Sequence, residues 1–531
     1  MPPGARELRH SSAGAVISSD RVAATYRSAP PIQYPSAVVR IEMPMSRGRW
    51  GRLAATVVMI IAVVTMVHGS EAPQFGFDAL GSRRASPVVD PFLIDLQERT
   101  FRFFWDTANP RNGLVPDRYP TPSFSSVAAV GFALTAYPVG VERAYVTRKA
   151  ARQRVLATLR FFHNAPQGAH TRGTAGYKGF FYHFLDMKSG ERFADSELST
   201  VDTAIFLAGA LFCQSYFDGS DPEETEIRAL VDDIYRRVDW TWAQPRPPAI
   251  SLGWSPEDGF LEYDWRGYNE AMLVYLLALG SPTHPVGPEA WAAWTSTYDQ
   301  SWGKHFGQEY LGFAPLFGHQ YTHVWLDFRD VQDAYMRRRG LDYFQNTRRA
   351  IYAQQAYAVA NPHHCKDYGA TIWGLTASDG PADMELEVAG VVHLFRGYAA
   401  RGIGTAGPGT HDDCTLAPTA AVASLPFAPE LAIPAVLEMN KRFGNYIYSK
   451  YGFFDAFNLN FNFDGPLQHG RCIPGFGWVD GDYLGIDQGA IFTMIENYRS
   501  DMIWRVMHTN PYVRTGMQRA GFSGGWLTAS Q

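Results

Sequence analysis

Carboxylates recur in this chain where long apolar segments begin. Asp195 and Glu197 immediately precede STVDTAIFLAGALFC, and Asp202 lies in the first turn of that run. Glu270 opens GYNEAMLVYLLALG, Asp487 opens GIDQGAIF, and Asp412 and Asp413 stand shortly before a fourth segment. Any one of these acids has a purely structural explanation, because acids favour helix N-termini through capping and the macrodipole. Ser199 with Asp202 even resembles a capping box. As a set they say more: parallel helices that keep acids only at their starts would bring them all to one mouth. Carboxylates paired across a cleft supply the acid and base of glycosidic cleavage. Tyr268 and Trp265 stand beside Glu270 in the sequence, and aromatic neighbours of this kind would desolvate it and raise its pKa.

The loops expected at the same mouth are rich in aromatic and hydrogen-bonding residues. They include YDWRGYNE (263–270), FGHQYTHVWLDFR (317–329), YGATIWGLTASDGP (368–381), YGFFDAFN (451–458) and PGFGWVDGDYLGIDQG (474–489). This mixture suits a sugar, whose ring faces stack on aromatics while its hydroxyls need polar partners. There is no Walker sequence and no G-x-S-x-G elbow. His363, His364 and Cys365 with His469 and Cys472 match no standard zinc spacing, so no metal site is expected.

Twelve helical segments would position these groups. An amphipathic set spans about 90–107, 143–163, 222–242, 288–302, 341–361 and 429–448; apolar residues such as Val155, Leu156, Leu159 and Phe162 recur at helical spacing. It alternates with a nearly uncharged set at about 123–137, 199–213, 267–280, 313–328, 415–424 and 487–498. Helices apolar all round must be covered by others. Six covered helices alternating with six half-exposed ones predict an all-α (α/α)6 barrel. Residues 177–191 alternate and predict a small β-hairpin at the rim.

The full chain has a formal net charge of −5, and 19% of its residues are charged. An acidic body of this kind gives no footprint for nucleic acid. Residues 46–72 combine Arg47, Arg49 and Arg52 with an apolar run and small residues, the layout of a signal peptide or N-terminal anchor. Residues 1–45 then read as an extension, with Met43 or Met45 a sensible start. Export to the periplasm or medium permits disulfides, but four cysteines allow three full pairings and the sequence does not choose. No linker divides 88–522, so one catalytic domain is expected, as a monomer without a membrane partner unless the N-terminal segment is retained.

The runs FGHQYTHVWLDFR, IWGLTASDGP, LAPTAAVASLPFAPE, YGFFDAFN and GIDQGAIFTMIENYRS resemble the bacterial glycoamylase-like family. Its characterised members belong to glycoside hydrolase family 144, endo-β-1,2-glucanases and sophorose-releasing relatives. The likeness extends through STVDTAIFLAGAL and GYNEAMLVYLLALG and covers most of 90–522. It implies an (α/α)6 barrel, no required cofactor, and inverting hydrolysis of β-1,2-glucan. Glu270 is implied as the general acid, with Asp487 and then Asp455 as the base. Asp195, Glu197 and Asp202 match the acidic cluster of the substrate site. Tyr268, His319, Gln320, His323, Arg329, Trp373 and Trp478 would bind sugar. The chain departs from the family in an insertion at about 382–411, whose MELEVAGVVHLFRGYAARG looks partly helical, and in Cys414, which stands where a Gly is usual. The rival readings are a β-1,2-glucan transglycosylase and a non-catalytic glucan-binding protein.

Overall fold

The computed structural model describes residues 89–388, 391–403, 411–463 and 465–528. The extension at 1–45 and the leader at 46–72 lie outside the described residues, as do 404–410 of the insertion. Helices in chain order are α1 (Pro91–Thr107), α2 (Val127–Glu142), α3 (Arg148–Asn164), α4 (Thr200–Tyr216), α5 (Pro222–Arg236), α6 (Met272–Gly280), α7 (Glu289–Thr295) and α8 (Tyr298–Ser301). They continue as α9 (Phe317–Trp325), α10 (Ala334–Arg339), α11 (Tyr343–Ala360), α12 (Pro418–Val422), α13 (Pro429–Ile447), α14 (Gly485–Ser500), α15 (Met502–Met507) and α16 (Pro511–Arg519).

The two predicted sets are present except over 288–302. Every residue of α6, α9 and α12 is buried, as is nearly every residue of α2 and α4. By contrast α1, α3, α5 and α13 bury one face. The covered helices touch one another: α2 packs on α4 and α14, α4 on α6, and α12 on α14. Gln320 of α9 donates to the Ala420 carbonyl of α12. The α2–α4 crossing is close enough to require glycine. A Cβ on Gly209 would stand 2.0 Å from the Gly131 carbonyl oxygen, and one on Gly131 would stand 2.4 Å from that of Ile205.

The helix expected over 288–302 is instead two short helices and a strand. Thr295 and Ser296 turn their hydroxyls onto the carbonyls of Trp291 and Ala293, which competes with the helical ladder. The chain then forms the hairpin Trp302–His305 with Gln308–Leu311. The covering role at α6 falls to α16, where Gly516 allows contact with the Leu276 carbonyl. Helix α15 meets α2, α4, α9 and α14.

The strands need an addition to the all-α reading. Beyond the expected rim hairpin (Gly176–Tyr177 with Phe180–Phe181), two-residue ladders lead into four of the covered helices. Ser125–Ser126, Leu198–Ser199, Thr415–Leu416 and Tyr483–Leu484 pair with Phe184–Leu185, Gly253–Ser255, Phe457–Asn458 and Arg118–Tyr119 in turn. Extended backbone is what an N-cap residue needs, and Ser126 and Ser199 cap α2 and α4 from these ladders. The loops that enter the covered helices are thereby tied to one another.

The insertion is a β-hairpin, not a helix. Met384–Val388 pairs with Val391–Phe395 in register Met384↔Phe395. Met384 and Leu386 turn inward and Glu385 outward, a period of two, and the β-branched Val388, Val391 and Val392 favour strand. Met384, Leu386 and Phe395 pack with Ala456, Phe461 and Trp478.

Candidate active site

Glu270 sits two residues ahead of α6, buried to 5% exposure. Its carbonyl accepts from the Thr322 hydroxyl of α9 (3.2 Å), which fixes the loop between two covered helices. Its Oε2 has no partner among the described residues. Burial pushes the carboxyl up to about 7, with a smaller contribution from the charge of Asp202. Tyr268, two residues earlier in the chain, is stacked on Tyr343 (5.8 Å) and tilted against His319 (4.9 Å). Trp265 donates from Nε1 to the Thr200 hydroxyl at the start of α4 (2.9 Å).

Beside it, Ser199 caps α4 and donates to Asp202 Oδ2 (2.5 Å). His183 places Nδ1 2.9 Å from Glu197 Oε1 and Nε2 3.5 Å from Asp202 Oδ1. Burial opposes the imidazolium, yet the charges of Asp202, Glu197 and Asp117 together hold His183 up at about 9. Burial also works against the Glu197 carboxylate, but His183 outweighs it and lowers that pKa; in Asp202 and Asp117 burial wins and raises them. Asp195 is not part of this group. It is exposed and faces Arg172 at 3.2 Å.

A second acidic group faces the first across Asp117 and Arg118. Carboxylate oxygens of Asp379, Asp455 and Asp480 lie within 4.8 Å of one another, all buried. Arg118 grips Asp379 through two nitrogens (2.7 and 3.3 Å) and meets His469 Nδ1 at 2.9 Å. The Asp379 amide donates to Asp455 Oδ2 (2.7 Å). Asp487, in the first turn of α14, is pushed up to about 7 by burial and titrates together with Asp455, whose own pKa lies well above the carboxylate range. Neither Asp455 Oδ1 nor Asp487 Oδ2 has a hydrogen-bond partner among the described residues. Burial raises Asp480 as well, with Asp379 adding to it. Among the described residues the Asp379, Asp455 and Asp480 trio has the spacing to hold a cation; Arg118 already supplies one positive charge there. The groups most open to water are Glu197, His469, His183, Arg118 and Asp117, with side chains 32%, 25%, 20%, 17% and 16% exposed.

The other sugar-binding expectations divide by place. Trp373 and Trp478 are fully buried and offer no face to a ligand; Trp478 supports the His469 loop by donating to its carbonyl (2.8 Å). Gln320 is spent in joining α9 to α12. His319 donates from Nε2 to the Phe313 carbonyl (3.1 Å), and burial lowers it to about 4. His323, lowered by burial to about 3, packs against Phe328 and Phe427. Arg329 binds Asp327 and Asp501 and covers Trp504. Asp501 caps the C-terminus of α14 while Asp487 lies in its first turn, so Arg329 is roughly 20 Å from the acids at 1.5 Å per residue. His323 and Arg329 are therefore structural residues of the far end.

Asp117, Arg118, His183, Asp379 and Asp480 are site residues that the sequence alone does not single out. Asp379 and Asp480 carried a signal, as charges in SDGP and VDGDY directly within the aromatic loops. Arg118 carried none, since His469 is 351 residues away and their contact is what gives it meaning.

Fold and site together define a helix-rich protein whose loops gather two groups of acids at the starts of its covered helices. The Glycoamylase family model matches residues 262–511. A Bacteroides uniformis protein of known crystal structure, assigned as a glucoamylase, is 30% identical, with 82% of this chain and 98% of that one covered and a TM-score of 0.70. The endo-β-1,2-glucanase of Chitinophaga pinensis, solved with sophorotriose and glucose, is 28% identical over 82% of this chain and 99% of its own, with a TM-score of 0.69. The exo-β-1,2-glucooligosaccharide sophorohydrolase (non-reducing end) of Parabacteroides distasonis is 28% identical over 467 residues, 82% of this chain. The match spans 58% of the length of that curated relative. The chain belongs to the glycoamylase-like family.

Proposed function

We propose that the chain is a glycoside hydrolase that cleaves β-1,2-glucan, endo-acting or sophorose-releasing, with inversion. The observation that carries this reading is Glu270, a buried carboxyl at about 7 with an unpartnered oxygen among the groups of the mouth. Such a group stays protonated near neutrality and can donate to a leaving glycosidic oxygen. Asp487, in the first turn of α14 and raised by burial to about 7, is the base that activates water or relays through a substrate hydroxyl. Glu197, Asp202 and His183 hold sugar hydroxyls between them. The substrate class rests on the printed activities of the C. pinensis and P. distasonis relatives.

The covered helices α2, α4, α6, α9, α12 and α14 close into the inner ring of an (α/α)6 barrel. Contacts of α2 with α4 and α14, α4 with α6, and α12 with α14 support the closure. So do the hydrogen bonds from α9 to α12 and to the α6 loop. Export to the periplasm or medium through the 46–72 leader is supported by the Cys365–Cys414 disulfide, a bond rare in reducing compartments. The protein acts as a monomer without a cofactor.

The test is incubation with linear β-1,2-glucan, with and without Glu270→Gln, resolving products by chromatography and following the anomer by proton NMR. Short β-1,2-gluco-oligosaccharides released as the inverted anomer, and lost in the variant, are expected. Products without new reducing ends would replace hydrolysis by transglycosylation, and binding without turnover would leave a glucan-binding protein.

A further inference from the structure

At the tip of the Trp302–His305/Gln308–Leu311 hairpin stands Phe306, 40% exposed and held at φ +45°. With Gly307 at φ +81° it forms the two-residue turn whose positions both need left-handed backbone. Asn or Gly is the usual first residue of such a turn. A phenyl side chain there is strained, and nothing in the hairpin's own register requires it.

The exposure does not come from slack. Asn346 clamps the hairpin base through both the amide and the carbonyl of Leu311 (2.8 and 3.1 Å). Trp302 donates to Glu309 (2.8 Å) across the strands and carries the Arg339 guanidinium at 4.4 Å. The Phe306 ring stands edge-on to Tyr357 (5.2 Å, 88°), and the Tyr357 hydroxyl is fixed on Asp412 (2.7 Å). At the other end of the same strand, Tyr310 leans on His319, which leans on Tyr268, two residues before Glu270. A rigid mount thus connects an exposed, strained aromatic to the segment that carries Glu270.

Resting on the β-1,2-glucan reading above, we propose that Phe306 is an outer sugar-binding subsite, where a glucose ring of the chain, away from the bond being cleaved, stacks on the phenyl face. The apolar face of a pyranose and an aromatic ring complement each other, and a ring already immobilised loses little entropy when it binds. At about 3.3 Å per residue the tip lies roughly 13 Å beyond Tyr310, so a short oligosaccharide held at Glu270 falls short of it while a long glucan reaches it.

The experiment compares KM and kcat of the wild type with Phe306→Ala, Phe306→Gly and Phe306→Trp on long and on short β-1,2-glucans, with thermal melts of each. Ala and Gly are expected to raise KM for long glucan roughly three- to tenfold, to leave kcat and the short substrate unchanged, and Trp to restore KM. Phe306→Gly, which relieves the backbone, is expected to melt no lower than the wild type. A glycine variant with wild-type KM on long glucan would overturn the inference, as would equal losses on long and short substrates. A wild type without turnover would instead count against the hydrolase reading. The Phe306 inference would then still be decided by calorimetric affinity for long and short glucans, with and without the ring.

Discussion

His183 stands between Glu197 and Asp202, Nδ1 2.9 Å from one carboxylate and Nε2 3.5 Å from the other. Its cation keeps two acids together at the entrance to α4, one of them open to water. The folded pKa of about 9 lies above the ordinary 6.5. The stabilisation from this pairing is therefore complete below pH 6.5 and is lost as the pH rises through about 9. His183→Asn should remove that pH dependence and separate Glu197 from Asp202, lowering kcat/KM about tenfold or more. Urea midpoints measured from pH 6 to 10 check it. Parallel curves for the two proteins would show that the imidazolium is not what holds the acids.

Glu270 couples activity to instability. Its pKa rises from 4.5 to about 7 because burial disfavours the carboxylate. The folded state therefore takes up a proton as the pH falls toward 7, and stability drops as the pH rises from 4.5 through 7. Glu270→Gln keeps the shape without the charge. It should be inactive on glucan yet more stable than the wild type at pH 8, by up to roughly 3 kcal/mol at 1.36 kcal/mol per pKa unit. In the active protein the rate should fall above pH 7 as the acid ionises. Melting curves at pH 5 and pH 8 decide the stability half, and an unchanged difference between the two proteins would contradict it.

What the sequence made legible follows from the range of each interaction. Apolar periodicity is local, so the covered helices and the acids at their starts, Asp202, Glu270 and Asp487, could be placed from the chain alone. The hairpin at 384–395 was misread as partly helical because MELEV is short, and a period of two over five residues competes with helix-forming Met, Glu and Leu. Trp373 and Trp478 read as sugar platforms because composition does not say which side of a loop faces water; both are fully buried. Arg118 with Asp379, 261 residues apart, lay beyond any local pattern.

Gly209 tests whether the close crossing of α2 and α4 sets the frame of the mouth. A methyl group there would meet the Gly131 carbonyl oxygen at 2.0 Å, and backbone cannot swing aside as a side chain can. Gly209→Ala should cost about 3 kcal/mol or more, despite the better helix propensity of Ala, and Gly131→Ala a comparable amount. Denaturant unfolding of each variant gives the cost directly. A neutral or stabilising alanine would mean that the helices part easily and that the crossing does not position the Ser126 and Ser199 caps.

Cys414 combines a disulfide with left-handed backbone. Its φ is +66°, the left-handed conformation that a glycine adopts freely, and its sulfur is bonded to Cys365 across 49 residues of sequence. The disulfide thus holds a strained residue beside Asp413, which grips the buried Arg401 (2.7 Å) at the base of the insertion. Closing a loop of that length is worth about 4 kcal/mol in the chain-entropy account. Cys414→Ser should lose this and keep the strain, while Cys414→Gly loses the bond but relieves the backbone, so the glycine variant should be the more stable of the two by about 1 kcal/mol. Urea unfolding of the wild type with and without reductant, beside both variants, checks the order. A wild type indifferent to reductant, or serine and glycine variants of equal stability, would contradict it. Cys213, buried and hydrogen-bonded to the Leu134 carbonyl, serves as the thiol whose replacement by Ala leaves the reductant effect intact.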